Sequence, residues 1–188
     1  MNPNVIESLD ALSALYLGQG QSRYGGEAVS QLAHALQSAH AAEASGAAPS
    51  LIVAALLHDV GHLVAGQGNH DVANGIDDHH EAVGVNALRA LFGDEVLQPI
   101  ALHVAAKRYL CALHPDYLAL LSDASRQSLA LQGGPMTADE AARFSLRPYA
   151  AEAIGLRHCD DAAKAVDAIT PPFEHYLAMA ATLLKPAQ

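Results

Sequence analysis

Apolar residues recur at helical spacing along most of the chain. Close to the N-terminus, Leu9, Leu12, Leu15 and Tyr16 follow one another at steps of three and four, which predicts a helix over 4–17. Glycine, proline and capping residues separate the later periodic segments, as they do between helices. These segments predict helices over 27–44, 51–64, 79–92, 94–113, 116–122, 123–131, 148–158 and 160–169, and a last one between Pro172 and Leu184.

Local signals mark two helix starts more closely. Ser50, next to Pro49, is a candidate N-cap for the third helix, because its hydroxyl can accept a free backbone N–H. Thr137 and Glu140 have the spacing of a capping box, in which two side chains satisfy N–H groups of the first turn. A helix is therefore expected to begin directly after Thr137.

One segment follows neither common periodicity. Residues 66–78 read GQGNHDVANGIDD, a polar, glycine-rich stretch that predicts a surface loop and a candidate lid. The chain is 51% hydrophobic but only 5% aromatic and contains no tryptophan, which favours closely packed helices over a sheet. With no internal repeat and no linker in the pattern, we expect an all-α fold in which residues 1–188 form a single helical-bundle domain.

Charge and cysteine content narrow the classes of partner. The formal net charge of −10 argues against binding nucleic acid or an anionic membrane, because both need clustered cations. Any bound phosphate group must then meet a few local cations. Cys111 and Cys159 are too far apart for a thiolate zinc motif, which fits a reducing cytoplasm. The apolar run over 51–57 is far too short to span a membrane and is expected to be a buried helix.

The third predicted helix carries the densest chemistry. In LLHDVGHL, His58 and Asp59 are adjacent within a strongly apolar segment. Burying these groups unpaired costs several kcal/mol, and binding a cation is one way to offset that cost. A histidine satisfied within the core, next to a helix-terminal aspartate, is the alternative for such a pair alone.

Further metal-ligand types lie on other predicted segments. Each one alone could equally be a packing or surface residue. Together with His58 and Asp59 they supply four imidazoles and two carboxylates, enough nitrogen and oxygen donors for two ions. Asp59 could bridge the ions, because a carboxylate has two oxygens. The additional candidates are His34, His80, His103 and Asp160.

The order H…HD…H…H…D resembles the HD-domain superfamily of helical metal proteins. Within it, the chain is similar to the mixed-valence di-iron oxygenases that cleave the carbon–phosphorus bond of hydroxylated organophosphonates. The resemblance spans about 24–164, the expected core of the domain. It rests on YGGEAVSQLAHALQ, AALLHDVGH, HHEAVG, HVAAKRYL, LSDASR, LQGGPM and RHCD.

The resemblance implies two iron ions in a mixed-valence Fe(II)/Fe(III) state, with O2 as co-substrate. The implied ligands are His34, His58, Asp59, His80, His103 and Asp160, with Asp59 bridging. Asp161 is an alternative to Asp160, although the family's spacing of three after Arg157 favours Asp160. Tyr24 and Glu27 resemble a pair that caps the open iron and withdraws when substrate enters. Alternatively, Glu27 is an ordinary acid in the first turn of a helix.

The same resemblance implies how an organophosphonate, the expected small-molecule partner, is bound. Lys107, Arg157 and Ser125 match positions that hold the phosphonate, and His62 matches one near the reacting hydroxyl. Charge-assisted bonds from lysine and arginine are the strong ones for a dianion. A solvated helix face is the alternative for Lys107 and Arg157.

The acidic loop is the candidate contact for the amine end of the substrate. Asn69 and Asp71 are candidate substrate-binding residues there, with Asp77 and Asp78 adding negative charge. Carboxylates at a distance suit a quaternary ammonium, which has no N–H to donate. We therefore expect 1-hydroxy-2-(trimethylammonio)ethylphosphonate as substrate, with phosphate and glycine betaine as products. The same chemistry on 2-amino-1-hydroxyethylphosphonate, giving glycine, an HD-type metal-dependent phosphohydrolase, and a non-catalytic HD-like module are alternatives.

Overall fold

Helices account for the regular structure in the computed structural model, which describes residues 5–24, 27–65 and 75–186. Isolated β-bridges join Arg23 to Ser30 and Phe92 to Leu184. The expected all-α class is confirmed. Within the described residues the helices are α1 (Leu9–Gln19), α2 (Gln31–Ala44), α3 (Pro49–Leu57), α4 (Val60–Ala65), α5 (His80–Leu88), α6 (Asp94–Leu113), α7 (Pro115–Leu120), α8 (Asp123–Leu131), α9 (Ala138–Ser145), α10 (Ala150–Ala162) and α11 (Phe173–Ala181).

The core is centred on α3. Its side chains from Val53 to Leu57 are completely buried, as the apolar run in the sequence predicts. Helices α2, α6 and α10 pack against α3, and α10 also packs against α2 and α6. Because α3 is enclosed by three helices, any polar residue at its C-terminal end lies inside the protein.

Helix α2 begins later than its periodicity predicts. The hydroxyl of Ser30 accepts a hydrogen bond from Ala33 N–H and caps the helix, which therefore starts at Gln31. Glu27 lies before the helix, so the predicted start at 27 is wrong, and so is the reading of Glu27 as a first-turn acid. A serine cap has replaced four residues of expected helix by a loop.

The predicted helix over 51–64 is two helices. Helix α3 starts at Pro49, with Ala48 at the N-cap and no capping side chain, so the proposed Ser50 cap is wrong. Proline is suited to the first helical position because its missing N–H would have no partner there. The chain then turns at His58 and Asp59 before α4 begins.

The helices expected over 148–158 and 160–169 are also wrong as a pair. One helix, α10, runs through both segments and ends at Ala162, and residues 163–172 are not helical. Arg157 and Asp160 therefore lie on the same helix. The helix expected over 4–17 begins at Leu9, where Ser8 caps it.

Two predicted features of the longer helices are confirmed. Helix α6 continues through Pro99 and buries His103 and Lys107, one turn apart. At the start of α9, Thr137 and Glu140 form the capping box.

Among the described residues, no helix has the length and apolarity needed to cross a membrane.

Candidate metal centre

Two buried histidines from different helices meet at their Nε2 atoms. The Nε2 atoms of His34 and His58 are 3.2 Å apart, and both side chains are completely buried. The Nδ1 atom of His34 is 2.9 Å from the carbonyl oxygen of Ala163, and that of His58 is 2.8 Å from the carbonyl of Ala55. A carbonyl only accepts, so each Nδ1 atom carries a proton, and in the neutral form that metal ligands take both Nε2 atoms carry lone pairs.

A second pair repeats this arrangement. The Nε2 atoms of His80 and His103 are 3.1 Å apart. His103 donates from Nδ1 to the carbonyl of Ile100 at 2.7 Å, and the Nδ1 atom of His80 is 2.8 Å from Oδ1 of Asp78. In the neutral form of both rings, the lone pairs of the two Nε2 atoms again face each other.

Asp59 lies between the two pairs. Its Oδ2 atom is 3.3 Å from Nε2 of His58, and its Oδ1 atom is 3.3 Å from Nε2 of His80. The remaining Nε2 atoms are also within reach, at 3.7 Å for His34 and 3.6 Å for His103. Each carboxylate oxygen therefore faces one histidine pair.

The chemistry of these donors fits bound cations. Facing lone pairs about 3 Å apart repel each other unless a positive charge lies near both, and neutral imidazoles are common metal ligands. Oδ2 of Asp59 is buried and accepts no hydrogen bond within the described residues. Asp59 thus groups with His34 and His58, and equally with His80 and His103, as a possible metal-binding set.

The ionisation states support the same use. Burial, followed by the charges of His80 and His58, lowers the pKa of His103 well below its ordinary value, so this imidazole is neutral. Burial acts to raise the pKa of Asp59, but the neighbouring histidine charges, that of His58 first, hold the pKa well below its ordinary value. The centre thus offers a neutral imidazole and an ionised carboxylate.

Asp160, and not Asp161, faces this cluster. Oδ1 of Asp160 is 3.3 Å from Nε2 of His34, and the side chain is buried. Its other oxygen accepts a bond of 2.6 Å from Arg157. Asp161 instead binds Arg157 and the hydroxyl of Tyr117, on the other side of the guanidinium.

Tyr24 lies beside the His34–His58 pair, whereas Glu27 lies beside Lys164. The Tyr24 ring stacks on His34 with centroids 3.7 Å apart, and its hydroxyl is 3.5 Å from Oδ1 of Asp160. Oε1 of Glu27 is 3.3 Å from the ammonium of Lys164. Lys164 was not among the predicted site residues, because nothing in its local sequence separates it from a surface lysine.

His62 belongs to the His80–His103 side. Its ring stacks on His80 with centroids 4.2 Å apart, and its Nδ1 atom is 2.8 Å from Oδ2 of Asp78. Asp78 therefore holds both rings, although the sequence indicated only that it adds charge to a loop. Gly61 allows α4 and α5 to approach this closely, since a Cβ there would lie 2.0 Å from the carbonyl oxygen of His80.

The predicted phosphonate-binding residues all have polar partners within the described residues. Lys107 is 3% exposed and donates to the hydroxyl of Ser128 at 2.8 Å. The hydroxyl of Ser125 accepts from Lys164, and Arg157 is committed to Asp160 and Asp161. The predicted substrate residues Asn69 and Asp71 lie outside the described residues, as does most of the candidate lid.

Comparison with known proteins adds a family and named relatives. Residues 31–161 match the HD domain. The chain is similar to [1-hydroxy-2-(trimethylamino)ethyl]phosphonate dioxygenase (glycine-betaine-forming) of Leisingera caerulea, at 39% identity over 94% of this chain and 88% of the relative. It is also similar to hydroxymethylphosphonate dioxygenase of Gimesia maris, at 45% identity over 90% of this chain and 85% of that protein.

Proposed function

The chain belongs to the HD-domain family, and from that membership we propose that it is an O2-dependent oxygenase that cleaves the carbon–phosphorus bond of a 1-hydroxyphosphonate. The overall reaction converts R–CH(OH)–PO3H2 and O2 into R–COOH and H3PO4. The proposed substrate is 1-hydroxy-2-(trimethylammonio)ethylphosphonate, which would give glycine betaine. The Leisingera relative, named for that product, supports this choice. We propose further that residues 1–188 act as one HD domain.

One observation carries the proposal: two facing histidine pairs share a single buried carboxylate, Asp59. We propose that the two ions are iron in a mixed-valence state. His34, His58 and Asp160 would hold one ion, His80 and His103 the other, and Asp59 both. Bound iron would supply O2 activation and a Lewis acid for the substrate oxygens.

The surrounding side chains would orient the substrate. Lys107 is a buried cation beside the centre and would attract the phosphonate. His62, held by Asp78 against the ring of His80, would contact the substrate hydroxyl. Tyr24 covers His34 and would limit access of water to that side.

A second substrate is favoured by a specific comparison. The Gimesia relative is named for hydroxymethylphosphonate and is 45% identical to this chain. Hydroxymethylphosphonate has no amine end, and its carbon would leave as formate. It would need the same metal and phosphonate contacts but none with a quaternary ammonium.

The deciding experiment is incubation of the iron-loaded protein with each hydroxyphosphonate, in air and under nitrogen. We expect phosphate release in air alone, with one O2 consumed per phosphate. Glycine betaine, formate or glycine identifies the substrate accepted. Phosphate release under nitrogen would instead mean that the protein cleaves the substrate by hydrolysis without O2, and the oxygenase proposal would be wrong.

A further inference from the structure

Arg157 has little capacity left for an incoming anion. Its Nη1 donates to Asp160 at 2.6 Å, its Nη2 to Asp161, and its Nε lies 3.0 Å from the Tyr117 hydroxyl and 3.2 Å from Asp161. Two carboxylates thus surround one guanidinium. Their combined charge exceeds that of Arg157, so this group by itself does not present a net positive charge to a phosphonate.

Lys164 provides a second cation close by. Its ammonium donates to the hydroxyls of Ser122 and Ser125, each at 3.1 Å, and lies 3.3 Å from Oε1 of Glu27. The two hydroxyls use two of the three N–H donors of the ammonium, and Oε1 of Glu27 has no hydrogen-bond partner within the described residues. The side chain is 18% exposed, which leaves it accessible to a small anion.

The backbone around Lys164 is held from both sides. The carbonyl of Ala163 accepts from His34, and the N–H and carbonyl of Ala165 both bond to the amide of Gln37 at 3.0 Å. The segment after α10 is therefore fixed to α2. A lysine between two anchored residues is positioned before any ligand arrives, which lowers the entropic cost of binding.

Lys107 and Lys164 both contact serines at the start of α8. Lys107 donates to the hydroxyl of Ser128, and Ser128 donates to the carbonyl of Ser125. Lys164 reaches the hydroxyl of Ser125. Serine hydroxyls one helical turn apart on α8 thus contact the two ammonium groups.

We propose that Lys164 is a phosphonate-binding residue, which with Lys107 brackets the dianion over the serine hydroxyls of α8. The inference rests on the proposed function for the identity of the anion. A dianion is matched by two cations. Lys107 donates to a serine hydroxyl and Lys164 faces one carboxylate, whereas Arg157 faces two. The entering phosphonate competes with Glu27 for Lys164, so binding separates that ion pair.

The test measures binding of methylphosphonate, which carries the phosphonate but no hydroxyl and so does not turn over. Calorimetry on the iron-loaded protein under nitrogen compares wild type with three variants. We expect Lys164→Gln to weaken binding about tenfold or more and Lys164→Arg, which keeps the charge, to change it by less than about threefold. Lys185→Gln is the matched control, because Lys185 is exposed and donates to the carbonyl of Arg89.

Two outcomes would overturn the inference: wild type that does not bind methylphosphonate, or Lys164→Gln that binds it as wild type does. Equal losses for Lys164→Gln and Lys164→Arg would also overturn it, since they would indicate a structural role without a charge requirement. Thermal unfolding and iron content show whether each variant is folded.

A measurement on the unaltered protein avoids dependence on folding of the variants. Methylphosphonate should protect Lys164, but not Lys185, from acetylation when peptides are quantified by mass spectrometry. Absence of protection at Lys164 overturns the inference. If methylphosphonate binds through Lys164 but no hydroxyphosphonate is turned over in air, the anion site stands and the proposed oxygenase function is wrong.

Discussion

The two histidine pairs are built from the same atoms but are supported differently. In the His34–His58 pair, backbone carbonyls hold both Nδ1 atoms, and Asp160 adds an oxygen 3.3 Å from His34. In the His80–His103 pair, one Nδ1 atom is held by a side chain, Asp78. Among the described residues, Asp59 is the carboxylate that lies next to the Nε2 atoms of His80 and His103.

This difference indicates a division of labour. An ion at the His34–His58 pair would meet more protein donors, fixed by helices that also form the core. An ion at the His80–His103 pair would keep more positions for exchangeable ligands, as catalytic metal sites require. Four variants can break or refine this comparison, beginning with the one that joins both pairs.

Removing the shared carboxylate has the largest expected effect. We predict that Asp59→Ala binds neither ion tightly and has no measurable oxygenase activity, because each pair loses an oxygen ligand and its negative charge. Metal analysis after gel filtration measures the content. Asp139→Ala, on the exposed first turn of α9, should behave as wild type. Two ions retained by Asp59→Ala would show that Asp59 does not bridge.

Asp160→Asn should affect one pair only. The His34–His58 pair loses its second carboxylate, so metal content should fall from about two ions per chain to about one, with activity lost. Asp161→Asn is a close control, because Asp161 binds the same Arg157 but does not face the histidines. If Asp161→Asn lost metal and Asp160→Asn did not, the ligand assignment would be reversed.

Asp78→Asn tests the side-chain support of the other pair. Loss of this carboxylate removes the partner that orients His80 and His62, and such partners change metal affinity by about 10–100-fold. Chelator titration should show weaker retention of one ion, with the other unchanged. Asp77→Asn, whose carboxylate bonds to the exposed His79, is the control. Equal chelator sensitivity of both variants would contradict a special role for Asp78.

The smallest effect concerns the phosphonate contact and should spare both ions. Burial, followed by the charge of Arg157, lowers the pKa of Lys107 to about 8, against the opposing effects of Asp160, Asp59 and Asp161. The ammonium is present below that pH and lost above it.

The KM for phosphonate should therefore rise as pH increases above about 8, by up to about tenfold per unit. Lys107→Arg stays charged throughout, so its KM should be flatter between pH 7 and 10. KM profiles that rise equally in both proteins would assign the titration to another group.

Several features followed from local sequence. The apolar run ending at His58 and Asp59 predicted a buried helix carrying polar groups, and the capping box at Thr137 was confirmed. The helix predicted over 94–113 corresponds to α6, on which His103 and Lys107 are both buried. These features depend on residue spacing and on capping within a few residues. Such patterns can be recognised from the sequence without knowing the fold.

Other features depended on neighbours far along the chain. The predicted start of α2 and the predicted break within α10 were wrong. Capping a helix and continuing it differ by only about 1 kcal/mol in free energy, and packing can reverse that difference. Asp160 and Asp161 could be separated only by seeing which one turns towards His34. The partners of Lys164 come from distant segments: Ser125 lies 39 residues earlier in the chain, and Glu27 lies still further away.

The linear order of residues thus predicted a helical protein and the donor types that its segments carry. Helix packing decided how those donors meet. The paired histidines are 24 and 23 residues apart in sequence, so the approach of their Nε2 atoms depends on the angle and distance between helices. The helix propensity of a segment does not determine that angle or that distance. The packing of α3 against α2 and α6, together with that of α5 against α4 and α6, brings the carboxylate of Asp59 within reach of all four imidazoles.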